Sequence, residues 1–468
     1  MDYMKMKLNM VAVKIVQEIE KAGFEAYIVG GAVRDVMLEH ESTDWDITTN
    51  AKPEEVLPLF EESFYDNAYG TVMVAGKHLK EQFKLSTKEV DDEMIFDITT
   101  YRSEHGYSDK RRPDKVEWGE TVEEDLKRRD FTINSMAVKI IKESGKDFEV
   151  EIIDPYDGQK DLEKKLIKAV GDPETRFEED ALRIMRAIRI GAELGFEIEP
   201  KTLAAITKKA PNLTEISGER VGAETRKILA TEHASEAVLL MANTGVLSIV
   251  IPELLPARGV KQAGHHIYDV FTHSLEALKT CPSPDPVVRL ATLLHDIDKP
   301  TVLASRGEKA ITFYNHEVVG ARTAKKIAER LRFSKKDQDR VFTLVRWHMF
   351  AYDSKMTDAA IRRFIRRVGK ENIHDMMALR IGDRVGGGSK ATSWRLTELQ
   401  KRIGEQFYEP LSLKDLAITG NEVMTILKLK PSKKVGEILN TLFEEILDDS
   451  SKNTKELLEK RVKELGQS

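Results

Sequence analysis

The sequence is poor in cysteine and has no long apolar run, and both deficits exclude whole classes of protein. Its 468 residues include one cysteine, Cys281, so no disulfide can form within the chain. No apolar stretch approaches the roughly 20 residues that a membrane-spanning helix needs. Lys5, Lys7 and Lys14 interrupt the apolar residues near the N-terminus, which is not the pattern of a signal peptide. We therefore expect a cytoplasmic protein that does not enter a membrane.

A strong charge of one sign is also missing. Charged residues make up 32% of the chain, hydrophobic residues make up 41%, and the formal net charge is −6. This balance is typical of soluble globular proteins, and the length allows several domains. The mild negative charge argues against a generic basic coat for nucleic acid, although it is compatible with a local basic groove.

A strand–turn–helix–strand pattern near the N-terminus carries paired acidic residues. Side chains alternate along a strand, so Asp44 and Asp46 should point the same way and repel each other. A pair of divalent cations such as Mg²⁺ would offset this repulsion and would hold the attacking and leaving oxygens of a phosphoryl transfer. Gly30 and Gly31 open a helix whose backbone N–H groups suit a triphosphate, and Arg34 lies one turn further on. Each feature is common alone, but together they indicate nucleotidyl transfer.

A third strand carboxylate follows in the next part of the chain. Residues 69–74 and 94–100 read as strands, and the second of them contains Asp97. Asp97 either completes a metal site with the first two aspartates or pairs with a neighbouring arginine. Residues 101–120 are polar, and their composition predicts a loop rather than a strand.

Two charged segments follow that have both a functional and a structural interpretation. Arg128, Arg129 and Asp130 could hold a sugar and its phosphates, or the arginines could simply complement the dipole at a helix C-terminus. Further on, Asp180 and three arginines predict one charged stripe along a helix, which is usually a solvated face. An Asp and an Arg held rigidly on one helix can also read the edge of a base by hydrogen bonding. The three arginines of the stripe are Arg183, Arg186 and Arg189.

Histidines and aspartates form a separate set over predicted helices in the second half of the chain. Imidazole and carboxylate groups suit Zn, Fe, Mn, Ni or Co. A lone histidine at any of these positions would be structural. The set comprises His273, His295, Asp296, His316, His348 and Asp383.

Five basic residues recur at helical spacing over 362–370. They could follow an RNA backbone, or they could form a surface face paired with Glu371 and Asp375. The five are Arg362, Arg363, Arg366, Arg367 and Lys370.

Several motifs resemble those of one known family. The sequence V-G-G-A-V-R-D at 29–35, the D-x-D at 44–46 and R-R-D-F-T-I-N-S-M-A at 128–137 resemble the head of the class II nucleotidyltransferases. These are the bacterial CCA-adding tRNA nucleotidyltransferases and the related poly(A) polymerases. Residues 154–162 resemble the hinge motif of that family, although Lys168 stands where the family more often has arginine.

The resemblance covers nearly the whole chain and implies its architecture. It implies an α/β nucleotidyltransferase head, with a small mixed sheet and flanking helices, followed by an all-helical remainder. The domains it implies are a head over 1–145, a helical neck with a nucleotide-selecting template over 146–215, a helical body over 216–256, an HD domain over 257–390 and a helical, tRNA-contacting tail over 391–468.

The resemblance also implies a reaction. The 3′-hydroxyl of tRNA would attack the α-phosphate of CTP or ATP and release pyrophosphate, so that the 3′-terminal CCA is added or repaired. Asp44 and Asp46 would bind two Mg²⁺, with Asp97 as a third catalytic carboxylate. The remaining assignments are Gly30, Gly31 and Arg34 for the triphosphate, Arg128, Arg129 and Asp130 for the ribose and phosphates, Asp180 and Arg183 for the base, and Arg186 and Arg189 for phosphates or structure.

The His/Asp set is similar to that of the HD phosphohydrolase superfamily, which would place a transition metal there. The motif departs from the superfamily at Asp298, where glycine is usual. An additional carboxylate beside a metal could change its charge or block a substrate phosphate. Both hydrolysis and a retained fold without activity are therefore compatible with the sequence, and the oligomeric state is not given by it.

Alternatives within the family differ in the nucleotides they add. An A-adding enzyme, a CC-adding enzyme and a poly(A) polymerase share the same chemistry. CC-adding members lack a loop like the one containing Tyr107, Asp109, Arg111 and Arg112, which favours a full CCA-adding or an A-adding enzyme. Outside the family, the alternatives are a metallophosphohydrolase that merely retains the head, and a non-catalytic RNA-binding protein. The paired aspartates argue against the last, since RNA binding alone would not favour acidic pairs in the groove.

Overall fold

The computed structural model describes residues 3–66, 70–86, 91–105, 115–262, 267–305 and 311–467. The chain forms two compact units. The first contains Met1–Ile228 and Leu239–Val250, and the second contains Leu229–Val238 and Ile251–Ser468. Over the described ranges, no helix has the length and apolar character needed to cross a membrane.

Nearly all strands of the described residues belong to the first unit. The strands are β1 (Met4–Met6), β2 (Ala26–Val29), β3 (Trp45–Thr49), β4 (Phe64–Asp66), β5 (Thr71–Ala75), β6 (Ile95–Thr100), β7 (Arg102–His105), β8 (Lys115–Trp118), β9 (Ala137–Ser144), β10 (Asp147–Ile153), β11 (Leu166–Ile167), β12 (Glu197–Ile198), β13 (Ala304–Ser305) and β14 (Ile311–Thr312). Only β13 and β14, which pair with each other, lie in the second unit.

The helices run through both units. They are α1 (Met10–Lys21), α2 (Gly31–Met37), α3 (Pro53–Val56), α4 (Gly76–Gln82), α5 (Val122–Lys127), α6 (Gly158–Glu163), α7 (Pro173–Glu179), α8 (Leu182–Leu194), α9 (Pro200–Lys209), α10 (Gly218–Ala230), α11 (Ala234–Asn243), α12 (Leu247–Val250), α13 (Val270–Thr280), α14 (Pro286–Leu294), α15 (Lys299–Val302), α16 (His316–Arg330), α17 (Lys335–Trp347), α18 (Asp358–Val368), α19 (Ile373–Gly386), α20 (Trp394–Gln406), α21 (Gly420–Leu427), α22 (Lys433–Asp448) and α23 (Lys455–Gln467). Single 3₁₀ turns lie at Leu57–Leu59, Thr132–Asn134, Ala210–Glu215, Pro252–Ala257, Lys370–Asn372, Leu413–Asp415 and Ser450–Lys452.

A mixed sheet of eight strands forms the centre of the first unit, in the order β1-β10-β9-β2-β3-β6-β5-β4. β3 runs parallel to β6, and its other neighbour, β2, is antiparallel. β2 and β3 bury most of their side chains, as expected for central strands covered on both faces, whereas buried and partly exposed residues alternate along β6. This arrangement places the start of β3 beside both the end of β2 and the start of β6.

The helix before this sheet forms for local reasons. The side chain of Asn9 accepts hydrogen bonds from the backbone N–H groups of Val11 and Ala12, which caps α1. The apolar face of α1 is then fully buried, including Ile15 and Ile19. The cap and this apolar face together account for the helix.

The fold class predicted from the sequence is confirmed. A mixed sheet with flanking helices occupies the N-terminal part, and the remainder is mostly helical. The sheet is larger than the small one expected, because β9 and β10 extend it.

The prediction that residues 101–120 form no strand is wrong. β7 and β8 pair antiparallel, with Arg102 opposite Trp118 and His105 opposite Lys115. β7 is polar throughout, and the alternation of Val116 and Trp118 with polar residues in β8 is too short to stand out in a polar segment. Cross-strand backbone hydrogen bonds hold such a pair of strands without a continuous apolar face. The centre of this segment lies outside the described residues, and with it the predicted loop residues Tyr107, Asp109, Arg111 and Arg112.

The second unit is built on packed helices. α13 lies against α14 and α19, and α16 lies against α17. The buried residues of α14 include every position from Val287 to Leu294, which makes it a central helix of this unit. The ends of these helices carry the predicted His/Asp set.

The basic residues at 362–370 are engaged within this unit. Arg362 is buried and donates hydrogen bonds to the backbone oxygens of Leu447 and Asp448. Arg363 and Arg366 form ion pairs with α22, through Asp448 and Glu444. The partners therefore lie on α22 rather than at the predicted Glu371 and Asp375, and α18 is held by structural contacts.

Candidate functional site

A glycine with a left-handed backbone begins the site in the first unit. Gly30 has a φ of +78° between β2 and α2. A Cβ there would lie 2.9 Å from Arg129 Nη1 and 3.2 Å from Asp46 Oδ2. The turn therefore requires glycine at this position for two reasons: its positive φ and the close approach of two charged side chains.

Three carboxylates meet beside this turn. Asp46 in β3 is the register partner of Val29 in β2 and of Asp97 in β6, and Asp44 immediately precedes β3. Only Asp46 of the first pair is thus a strand residue, which corrects the expectation that one strand carries both. Burial, together with the neighbouring Asp44 and Asp97, raises the pKa of Asp46 to about 6, and Arg129 opposes this rise. This mutual repulsion shows that the carboxylates crowd one location.

The structure distinguishes between the two interpretations of Asp97. Its Oδ1 is buried and has no hydrogen-bond partner, and within the described part of the chain it forms no ion pair with an arginine. Burial raises the pKa of Asp97, and so does the neighbouring Asp44. A buried carboxylate oxygen without a partner, next to two further carboxylates, fits a hard divalent cation such as Mg²⁺.

Arg34 is held by a chain of contacts that begins in α2 and ends in α8. Arg34 Nη1 donates to Asn134 Oδ1 at 2.8 Å, and Asn134 Nδ2 donates to Asp130 Oδ1 at 3.1 Å. Arg186 in α8 donates to Asp130 Oδ2 from Nε at 2.7 Å. Asp130 is buried, and although burial alone would raise its pKa, Arg186 and Asn134 lower the pKa to about 2. Arg186 is thus committed to Asp130.

The other two predicted residues of this segment share one buried aspartate. Arg128 donates to Asp125 Oδ1, and Arg129 donates to Asp125 Oδ2 at 3.1 Å. Burial would raise the pKa of Asp125, but both guanidinium groups hold it below its usual range. Asp125 fixes Arg129 in the position where it also approaches Asp46 and Gly30.

Asp180 lies outside α8, which corrects the prediction of one stripe on one helix. It has an extended backbone in the break between α7 and α8. Arg220 of α10 donates to both its oxygens, at 3.3 Å to Oδ1 and 2.7 Å to Oδ2. The backbone N–H of Leu182 also donates to Oδ1. Arg220, from a third helix, therefore holds the carboxylate of Asp180 in place.

Arg183 begins α8 and is similarly fixed. Its Nη1 donates to Glu179 Oε2 and to the backbone oxygen of Arg176, and its Nη2 donates to the backbone oxygen of Arg128 at 3.0 Å. These contacts use three of the five N–H groups of the guanidinium, so two stay available for a base edge.

Arg189 forms ion pairs with Glu193 and Glu224 at 2.7 Å. The structural alternative therefore applies to Arg189, whose partners lie on α8 itself and on α10.

Several residues that position the site were missed by the sequence reasoning. Asn134, Asp125, Glu179 and Arg220 each hold a predicted site residue by its polar atoms. Asn134 lies within the motif R-R-D-F-T-I-N-S-M-A at 128–137, which is the signal for it in the sequence. The sequence gives no local signal for Arg220, because it is 40 residues from Asp180.

The predicted His/Asp set comes together in the second unit as a buried cluster. Two groups could each hold a metal ion and share Asp296, one with His273 and His295 and the other with His316 and His348. His273 Nε2 and His295 Nε2 lie 3.1 Å apart. Asp383 Oδ1 lies 3.2 Å from His273 Nε2 and joins the first group.

The histidines of this cluster are oriented by backbone carbonyls. The Nδ1 atoms of His295, His316 and His348 lie within 2.8 Å of the oxygens of Thr292, Phe313 and Val345. This contact places the ring proton on Nδ1 and directs the lone pair of Nε2 into the cluster. The donor set therefore fits a transition metal, and the carboxylate of Asp296 faces both groups.

The charge of the cluster is balanced within the protein. Burial, together with the neighbouring His295, lowers the pKa of His348 to about 3. For His295 burial acts against the charged form, but Asp296 and Asp383 raise its pKa to about 10. Lys299 Nζ lies 2.6 Å from Asp296 Oδ2 and contacts the cluster directly. Asp298, the unusual residue of the motif, is buried and accepts a hydrogen bond from Thr301.

Models of known families match three segments of the chain. Residues 26–168 match the poly A polymerase head domain, residues 195–258 match a probable RNA and SrmB-binding site of polymerase A, and residues 306–462 match a putative domain 2 of tRNA nucleotidyltransferase. Each of the three segments is therefore similar to proteins of the tRNA nucleotidyltransferase and poly(A) polymerase family.

Members of this family are similar to the chain over parts of their length. A CCA-adding enzyme of Leuconostoc citreum is 46% identical over 230 residues, which is 49% of this chain and 51% of the relative. A CCA-adding enzyme of Geobacillus thermodenitrificans is 41% identical over 244 residues, which is 52% of this chain and 54% of the relative. The chain thus spans about half the length of the curated relatives it matches.

A solved structure of the family extends this similarity to the whole chain. The Bacillus stearothermophilus CCA-adding enzyme in complex with CTP covers 97% of both chains with a TM-score of 0.69 and 26% identity. A second structure, the apo form II of a CCA-adding enzyme, shares the fold with a TM-score of 0.61 at 20% identity.

Proposed function

We propose that the protein adds or repairs the 3′-terminal CCA of tRNA, using CTP and ATP. The observation that carries this proposal is the meeting of Asp44, Asp46 and Asp97 beside the Gly30 turn, with the partnerless oxygen of Asp97 among them. The similarity to CCA-adding enzymes, one of them solved with CTP, supports the choice of reaction within the family.

The three carboxylates would hold two Mg²⁺ ions, which when bound supply charge stabilisation at the attacking and leaving oxygens of phosphoryl transfer. The N-terminus of α2 presents its backbone N–H groups toward the triphosphate. Arg34, fixed by Asn134, adds a cation at the same place. Arg129 approaches Asp46 and is well placed for the sugar and phosphates of the incoming nucleotide.

Nucleotide choice rests on Asp180 and Arg183. Asp180 supplies acceptors and Arg183 supplies donors, which together suit the hydrogen-bonding edges of cytosine and adenine. Their partners Arg220 and Glu179 hold both side chains before a nucleotide binds, so the edge that reads the base is preorganised.

Purified protein offered three tRNAs tests this proposal. One tRNA lacks the CCA end, one ends in CC and one carries complete CCA. Each receives single labelled nucleotides, and the products are sequenced. We expect CTP alone to add CC to the first, ATP alone to add A to the second, and neither to extend the third. Addition of A alone, of CC alone or of a long A tail would contradict CCA addition. These outcomes would indicate an A-adding enzyme, a CC-adding enzyme and a poly(A) polymerase, respectively. Asp46→Ala serves as the inactive control.

A second activity is favoured by the His/Asp cluster of the second unit. We infer that it is a metal-dependent phosphohydrolase site of the HD type, with Asp296 shared by two groups of histidines. Its test is hydrolysis of p-nitrophenyl phosphate after loading with Ni²⁺, Mn²⁺ or Co²⁺, compared with His295→Ala. If His295→Ala hydrolyses as fast as the unchanged protein, the activity belongs elsewhere. A protein that is mainly a phosphohydrolase would keep its activity on tRNA in Asp46→Ala and lose it in His295→Ala.

A further inference from the structure

A cavity of about 320 Å³ lies beside Asp383 in the second unit. α19 contributes Arg380, Asp383 and Arg384 to its lining, and the beginning of α20 contributes Ser393 and Arg395. α19 belongs to the predicted HD domain and α20 to the predicted tail, so the cavity crosses the boundary expected at residue 390. It therefore adjoins the metal-ligand cluster but is built partly from a segment with no assigned role there.

Three arginines line this cavity. Within the described ranges, none of them forms an ion pair with a carboxylate within 4.0 Å. Arg380 donates to the backbone oxygen of His348, and Arg384 Nε donates to the backbone oxygen of Lys390 at 2.7 Å. Most other arginines of this unit, such as Arg340 and Arg363, do pair with acids. Three arginines around one small cavity, against the single carboxylate of Asp383, favour an anionic ligand.

The position of Arg380 connects the cavity with the metal cluster. It lies half-buried one turn before Asp383 on α19, and its contact with the His348 oxygen links it to the opposite group of ligands. The guanidinium of Arg380 is thereby partly removed from water. A bound anion would offset that desolvation.

We propose that this cavity binds the phosphate group of a small phosphate ester, held by Arg380, Arg384 and Arg395 beside Asp383. Arginine forks match the geometry of phosphate oxygens. The volume is at the lower end of small-molecule sites, which suits a phosphomonoester of about mononucleotide size. Tyr352, Leu396 and Leu399 supply an apolar wall for the organic part.

The inference rests on the proposed phosphohydrolase and assigns its substrate class. In that reaction water breaks the P–O bond of the ester, its oxygen joins the phosphorus, and its proton leaves with the alcohol. The arginines take no part in the bond changes. They bind and orient the phosphate, so they are specificity-determining residues rather than metal ligands.

Site-resolved protection of arginines tests the cavity without turnover. The full chain is freed of metal and treated with phenylglyoxal in the presence and absence of inorganic phosphate, and modified arginines are mapped by mass spectrometry. We expect phosphate to slow the modification of Arg384 and Arg395 by about tenfold, as one charge-assisted hydrogen bond to each would do, and to leave the exposed Arg322 of α16 unaffected. Because each arginine is measured separately, phosphate bound in the first unit does not contribute. Equal rates with and without phosphate overturn the proposal.

Variants then separate this inference from the phosphohydrolase itself. In the metal-loaded protein, Arg384→Gln with Arg395→Gln should raise KM for p-nitrophenyl phosphate with little change in kcat, while Arg322→Gln with Lys401→Gln should leave both unchanged. A fall in kcat at constant KM contradicts a binding role. If no ester is hydrolysed by the loaded protein but phosphate still protects Arg384 and Arg395, the phosphohydrolase proposal fails and the anion-binding cavity stands. In Asp296→Asn, hydrolysis should be lost while protection persists.

Discussion

Arg220 and Asp180 form a two-point ion pair, with 2.7 Å between Arg220 Nη2 and Asp180 Oδ2. The pair joins α10 to the break between α7 and α8. It fixes the direction of the Asp180 carboxylate, which the proposed base recognition requires. The proposed nucleotide-selecting edge is thus held by a residue that need not touch the nucleotide.

Loss of Arg220 should therefore relax nucleotide choice. We expect Arg220→Met to reduce the discrimination of CTP and ATP from UTP and GTP by about tenfold, the effect of losing roughly 1.5 kcal/mol of charge-assisted hydrogen bonding. The measurement is kcat/KM for each nucleotide on a tRNA without CCA. Lys227→Met, an exposed change on the same helix, is the matched control. Unchanged selectivity in Arg220→Met would show that Asp180 does not depend on this pair.

Gly30→Ala should separate the backbone role of the turn from its close contacts. Gly30 and Gly145 both have a positive φ, but a Cβ at Gly145 meets nothing within 4 Å. Each alanine should cost about 1 kcal/mol of stability through the backbone. Only Gly30→Ala should also displace Arg129 and Asp46, and nucleotide transfer should fall at least about a hundredfold as preorganised groups are misplaced. Urea unfolding and transfer assays of both variants check this, and equal activity would contradict it.

Asp130 should contribute pH-dependent stability. Its folded pKa of about 2 lies below the value of an unfolded aspartate, so its contribution is present above about pH 4 and is lost as the pH falls toward 2. We expect Asp130→Asn to lower the free energy of unfolding by about 2 kcal/mol at pH 7 and by much less at pH 2.5.

Urea unfolding at both pH values measures this difference. Glu163→Gln, at an exposed position of α6, serves as the control and should change neither value. A loss in Asp130→Asn that is the same at both pH values would mean that Asp130 acts by packing rather than by charge.

The His/Asp cluster should bind two metal ions that can be removed separately. We expect His316→Ala to lose one ion and His295→Ala to lose the other, because these residues belong to different groups. Asp296→Ala should lose both, since its two oxygens face both groups. Metal content after loading with Mn²⁺ or Ni²⁺ and gel filtration measures this. Transfer to tRNA should continue in all three variants, and its loss would show that the cluster supports the first unit.

The sequence predicted features whose cause lies within a few residues. The turn at Gly30 and Gly31 and the strands around Asp46 and Asp97 depend on local backbone preferences and side-chain alternation. The order of the histidines and of His295-Asp296 was similarly visible. β7 and β8 escaped prediction because β7 is polar and the alternation in β8 spans only four residues.

The chain's own sequence therefore determined which side chains exist for the chemistry and on which kind of element most of them lie. The tertiary structure decided their partners: Arg220 for Asp180, Arg186 for Asp130, and no arginine for Asp97 within the described residues. It also brought both groups of histidines to Asp296. These pairings join residues tens of positions apart. Burial rather than sequence spacing determines their energies, because a charge that leaves water needs a partner or a metal. The fold decides which residue supplies it.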